Sequence, residues 1–161
     1  MKMTRRALIK ARFLKTREGL DEILARLTPE LMEWAPADGM RTVAGQLAEI
    51  ASVEVPLVPL LKHGRHLSES EVDAAMGDPH SFENLKRVLI DIRHQTHDYL
   101  DSLSEAELSH EVSCGRAWFG TLWMATLPRA EVFLNVTEHE LYHVGQLTSY
   151  LWYRGDNPYN W

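Results

Sequence analysis

The chain has 161 residues, of which 45% are hydrophobic and 25% are charged. This composition is ordinary for a globular protein and excludes fibrous repeats or disorder over most of the chain. No unbroken apolar run approaches the roughly eighteen residues of a membrane span, and the start does not fit a secretory signal. Cys114 is the sole cysteine, which excludes a disulfide framework. We therefore expect a cytoplasmic protein with one domain over residues 1–161.

Charge is spread unevenly along the sequence. Residues 1–17 contain seven Lys or Arg and no acid, whereas the remainder has 10 basic and 23 acidic residues. An acidic body argues against nucleic acid as the main partner. We interpret the basic start as the solvated face of a first helix rather than as a surface for phosphate or membrane.

Apolar residues at helical spacing predict two helices in the first half of the chain. The first runs from about Thr4 to Leu27 and ends before Pro29. The second runs from about Thr42, a plausible N-cap, to Leu61, and Pro56 is expected to kink or end it. The polar stretch 63–79 is long for a loop and is interpreted as a crossover connection.

Two more helices are predicted in the second half. The third covers about 81–103, and residues 104–107 form a capping box for a short helical turn. Residues 111–123 fit either a small hairpin or an ordered loop. The fourth helix covers about 128–154 and stops at Gly155. Four helices of similar length predict an all-α four-helix bundle with a long crossover connection.

The fourth helix contains a histidine pair, His139 and His143. Residues four apart lie above one another on a helix, so two imidazoles there can bind one metal ion. Gln146 and Tyr150 continue this face, which should point into the bundle core. Without a metal, the buried histidines would need other partners and would lose basicity.

The same string also matches H-E-x-x-H, the motif of zinc proteases. Under that interpretation the two histidines bind zinc and Glu140 is the general base. The four predicted helices and their connections account for the chain, so little length remains for the second lobe that a protease cleft needs. Because Glu140 sits among apolar neighbours, we favour an ion pair with an Arg or Lys of another helix.

Other candidates have simpler interpretations. His94 and His97 are expected on a solvated side of the third helix, and Cys114 is expected to be a small packing residue. Trp118, Phe119 and Trp123 could wall a pocket, but aromatic core packing is preferred.

The wider pattern around the histidines resembles a known family. His139, His143, Gly145 and Gln146 give H-x-x-x-H-x-G-Q, followed by Leu147, Tyr150, Leu151, Arg154, Gly155 and Pro158. An earlier segment agrees with the same family at Leu31, Trp34, Pro36, Gly39, Thr42, Val43, Leu47 and Ile50. The chain resembles DinB-like proteins, the metal-binding four-helix bundles of the DinB/YfiT superfamily.

This resemblance implies a third metal ligand on the second helix. The family usually has a histidine there, and the matching position here is Glu49, while Glu54 matches a family acid. Two histidines with one carboxylate are a recognised zinc set with an open fourth position, and also resemble the facial triad of non-haem iron. Zinc is expected, with nickel, iron or manganese as alternatives. The alternative for Glu49 is a solvated helix acid.

Four further side chains are candidates for catalysis or for orienting the ligands: Gln46, Glu54, Glu140 and Gln146. By resemblance, the ion would bind a low-molecular-weight thiol as thiolate, which would attack a small electrophile in an S-transfer reaction. A second hypothesis is metal-assisted hydrolysis, with Glu140 or Glu54 as base. A third is a non-enzymatic, metal- or ligand-binding homodimer with a stress-related role, because Leu134, Leu141 and Trp152 lie away from the histidines.

Overall fold

The computed structural model describes residues 3–114 and 126–161. Over these residues the protein is all-α with a minor sheet of two strands. The helices are α1 (Arg5–Leu24), α2 (Val43–Glu54), α3 (Leu57–His63), α4 (Glu69–Met76), α5 (Phe82–Ser102) and α6 (Arg129–Tyr153). The strands are β1 (Glu111–Ser113) and β2 (Thr126–Pro128).

Helix boundaries follow local capping chemistry. Thr4, Thr42 and Ser81 each accept a hydrogen bond from a backbone N–H in the first turn of α1, α2 and α5. These caps satisfy donors that the helix itself leaves unpaired. At its C-terminal end, α6 stops before Gly155, whose backbone φ of 97° is a conformation that suits glycine. The four predicted long helices are thereby confirmed.

Pro56 divides the second predicted helix into α2 and α3. It has no N–H to continue the α2 ladder, so regular hydrogen bonding ends just before it. The combined stretch Val43–His63 is the one described helical segment long and apolar enough, by length and composition, to cross a membrane. Half of its apolar window is buried inside the bundle, as in the core helix of a globular protein.

The connection 63–79, interpreted as a crossover connection, contains a short helix that was not predicted. Residues 69–76 form α4. Ser68 and Glu71 form a complete capping box, in which each side chain bonds the other residue's backbone N–H. Met76 is the buried residue that anchors α4 against the core.

Residues 111–113 form a strand, as the hairpin alternative for 111–123 predicts, but the partner strand begins at Thr126, after the predicted segment. β1 pairs with β2 in antiparallel register, and Val112 lies opposite Leu127 with both side chains buried. Cys114 is buried next to this pair, as expected of a packing residue, and burial raises the pKa of its thiol. The predictions for Trp118, Phe119 and Trp123 fall outside the described residues.

The core consists of two apolar clusters stacked along the bundle, and α6 contributes to both. One cluster includes Leu47 of α2, Leu89 of α5 and Leu147 of α6. The other centres on Phe13 of α1 and Phe133 of α6, whose rings meet edge to face. On the outside of α6, 58% of Leu141 and 49% of Trp152 are exposed, so a homodimer through this face stays a prediction.

Candidate metal centre

The predicted histidine pair lies together on α6. His139 and His143 have ring centroids 4.5 Å apart, and their Nε2 atoms face each other at 3.2 Å. Two nitrogens that each bind a tetrahedral zinc ion at its usual bond length would be about 3.3 Å apart. The spacing of the pair therefore suits two ligands of one ion.

Glu49 reaches the same point from α2. One ligand atom each from Glu49, His139 and His143 can be chosen so that all three lie within 4.8 Å of one another. The Glu49 carboxylate is 39% exposed, and its Oε2 forms an ion pair with Arg41 Nη1 at 2.8 Å. The ion pair uses one carboxylate oxygen, so the second oxygen is left for an ion. Two helices thus bring all three predicted ligands together.

Both imidazoles are held in the neutral form. Burial lowers the pKa of His143 to about 4, with a smaller contribution from repulsion by His139 when that ring is protonated. Burial likewise lowers the pKa of His139. Because only a neutral imidazole can bind a metal ion, the pair is ready for coordination at neutral pH.

Gln46 fixes the orientation of the His143 ring. Its Oε1 accepts a hydrogen bond from Nδ1 of His143, which leaves Nε2 without a proton and directed at His139. The amide is held in turn, since its Nε2 donates to the Tyr150 hydroxyl at 3.1 Å. That hydroxyl donates to the backbone oxygen of Arg41 at 2.8 Å. The structure thus places Gln46 in contact with a predicted ligand.

Glu54 and Glu140 belong to a separate buried cluster with two arginines. Arg93 donates to Glu54 through Nε and Nη2, each at 2.8 Å, and also pairs with Glu140. Arg17 donates to Glu140 at 3.0 Å and to Glu54 at 3.4 Å. The ion pair predicted for Glu140 is confirmed.

Two expectations about charged or polar side chains were wrong. Arg17, in the basic start, is not solvated, because only 12% of its side chain is exposed and it enters the buried cluster. His97 is half-buried, with its ring edge-on to Phe13 at 5.9 Å. His94 is exposed, as predicted.

Sequence reasoning also missed Arg93 in α5. It lies between Leu89 and Thr96, both fully buried, so it interrupts the apolar stripe of this helix. An arginine within such a stripe is a signal for a buried partner, because an unpaired charge would be expensive there. That signal does not indicate which helices provide the partner carboxylates.

Comparison with known proteins agrees with this arrangement. The family model for the DinB superfamily matches residues 12–147, a range that contains Glu49, His139 and His143. No curated protein and no solved structure gives a significant match. The match covers most of the chain. The helical fold of the chain is also the one that the family resemblance implies. The chain therefore belongs to the DinB superfamily.

Proposed function

We propose that this protein binds one divalent metal ion through Glu49, His139 and His143. The observation that carries the proposal is the convergence of three ligand atoms within 4.8 Å, from two helices. Neutral imidazoles and the Gln46 contact to His143 support it, because metal-binding histidines depend on an outer hydrogen bond for orientation.

Two imidazole nitrogens and one carboxylate oxygen form a set that suits zinc. Nickel, iron and manganese also accept such ligands and are the alternatives that a metal analysis would identify. An ion held by three protein ligands supplies Lewis acidity, which lowers the pKa of a water or thiol bound to it.

We further propose a thiol-dependent transfer to a small electrophile as the reaction, in the cytoplasm. The site is reachable from solvent, since Glu49 and His139 are both only partly buried. Hydrolysis with Glu54 or Glu140 as base is less favoured. Both carboxylates are 0–1% exposed and are paired with arginines, so they belong to a buried ion-pair cluster rather than to the metal centre.

Elemental analysis of the untagged protein tests the metal site. We expect about one ion per chain, and its loss in Glu49→Ala and in His143→Ala, because each removes one of three ligands. Asp73→Ala, at an exposed carboxylate of α4, is the control and should keep the ion. Loss in His143→Ala alone would move the third ligand elsewhere, and no ion after reconstitution would refute the site.

Cobalt substitution tests the thiol proposal separately. A low-molecular-weight thiol that binds to the cobalt-loaded protein should add a sulfur-to-cobalt charge-transfer band in the near ultraviolet. The zinc form should then consume a panel of electrophiles only when thiol is present. If the band is absent for several thiols while the ion is retained, the thiol proposal fails and the metal site stands.

A further inference from the structure

Arg41 reaches the candidate metal centre from outside helix α2. It precedes Thr42, the N-cap of α2, whereas Glu49 lies further along the same helix. Its Nη1 atom nevertheless pairs with Oε2 of Glu49 at 2.8 Å. Residues four apart share a helix face, so the side chain must pass over Gly45 to make this contact.

Gly45 provides the space for that passage. A Cβ built at this position would lie 2.7 Å from Cγ of Arg41, which is closer than real Cβ atoms come to other heavy atoms. Because Cγ is near the base of the side chain, the whole guanidinium group would have to move. The φ of Gly45 is not positive, so backbone conformation does not require a glycine here.

Fold stability does not explain this arrangement. A glycine within a helix costs up to about 1 kcal/mol relative to alanine. The side chains of Arg41 and Glu49 are 47% and 39% exposed. An ion pair this exposed contributes roughly 0–1 kcal/mol, so it returns no more than the glycine costs.

The backbone of Arg41 is tied to the second ligand helix. Its carbonyl oxygen accepts a hydrogen bond from the Tyr150 hydroxyl of α6 at 2.8 Å. The same hydroxyl accepts from Gln46, whose Oε1 bonds His143. Arg41 is therefore connected to predicted ligands on both helices, directly to Glu49 and through two side chains to His143.

The contact with Arg41 limits what the Glu49 carboxylate can offer an ion. A carboxylate can bind a metal ion through one oxygen or through both. The guanidinium occupies Oε2, and its positive charge repels a cation from that oxygen. Glu49 is left with Oε1 as its ligand atom.

We propose that Arg41 is a positioning residue that restricts Glu49 to one-oxygen coordination and thereby keeps one coordination position open. The inference rests on the proposed function, because it concerns the same metal centre. Two imidazole nitrogens and one oxygen leave the fourth position of a tetrahedral ion free for an exchangeable ligand. A second oxygen from Glu49 would compete for that position.

Visible absorption of the cobalt-loaded protein tests the proposal, since four-coordinate Co²⁺ absorbs more strongly than five-coordinate Co²⁺. In Arg41→Met we expect absorption per bound ion to fall roughly twofold, because the released oxygen raises the coordination number. Cobalt affinity should be no lower than in the wild type, since a positive charge beside the ion is gone. Gly45→Ala should give the same fall while every charge is kept. Arg65→Met, which removes an exposed ion pair with Glu71, is the matched control.

The possible outcomes separate this inference from the metal site itself. A wild-type spectrum in Arg41→Met with cobalt retained overturns the positioning role and leaves the metal site standing. Loss of cobalt from Arg41→Met also overturns it, because Arg41 would then be needed to hold the site together. If the wild type binds no cobalt, the proposed function itself fails, and this inference fails with it.

Discussion

The side-chain amide of Gln46 sets the tautomer and the orientation of the His143 ring. Gln46 is 3% exposed, and both ends of its side chain are bonded, to His143 on one side and Tyr150 on the other. An amide locked in this way has one orientation, so the imidazole next to it has one tautomer. The ring nitrogen directed at His139 is then the one with a free lone pair. Ligand geometry is thus set before any ion arrives.

We expect Gln46→Ala to weaken zinc affinity by about 10- to 100-fold, the usual effect of losing a hydrogen bond to a metal-binding histidine. Gln46→Glu should retain most of the affinity, because its carboxylate still accepts from Nδ1. Zinc competition against a chromophoric chelator measures both. Gln95→Ala, on the exposed side of α5, is the matched control. Equal affinity for all four proteins would show that Gln46 does not orient the ligand.

At the scale of the element, the long helices and the histidine face could be predicted because their signals are local. Caps at Thr4, Thr42 and Ser81 and the glycine after α6 mark boundaries within one turn. Helical spacing alone places His139 and His143 on one face. Glu49 was different, because its position came from the family resemblance rather than from periodicity.

The parts that were missed depend on contacts between elements. Helix α4 buries only Met76, so its apolar pattern is too weak to indicate a helix, and the Ser68 capping box was the available signal. The burial of Arg17 depends on which carboxylates approach from α2 and α6. The half-buried state of His97 depends on Phe13 of α1. Periodicity within one helix contains no information about which side chain faces it from another.

At the scale of the whole molecule, the buried charge cluster joins four helices. Arg17 of α1, Glu54 of α2, Arg93 of α5 and Glu140 of α6 balance two positive and two negative charges. The remaining donors reach backbone oxygens: Arg17 binds Leu89 O at 2.7 Å, and Arg93 binds Phe13 O at 3.2 Å. Since Glu140 follows His139 directly, the cluster also limits rotation of the helix that holds both histidines.

Removing one charged side chain from this cluster should lower the free energy of unfolding far more than removing an oppositely charged pair. Glu54→Leu leaves two guanidinium groups with one carboxylate, and we expect a loss of about 3–5 kcal/mol in the free energy of unfolding. The double variant Glu54→Leu/Arg93→Met leaves the balanced pair Arg17–Glu140, and should lose at least about 2 kcal/mol less. Urea denaturation of the wild type, both single variants and the double variant gives the cycle. Additive losses would contradict a coupled cluster.

Acid titration provides an independent check on the same cluster. Burial alone would raise the pKa of Glu54, but its hydrogen bonds and ion pair with Arg93, aided by Arg17, hold it below its ordinary value of 4.5. The folded state therefore binds this proton more weakly than the unfolded state does. The stabilisation is complete above pH 4.5 and is lost as pH falls through the lower, folded-state pKa. We expect the unfolding free energy of the wild type to fall more steeply below pH 4.5 than that of the double variant, which lacks Glu54. Parallel pH profiles would mean that Glu54 is not held as a charged partner of Arg93.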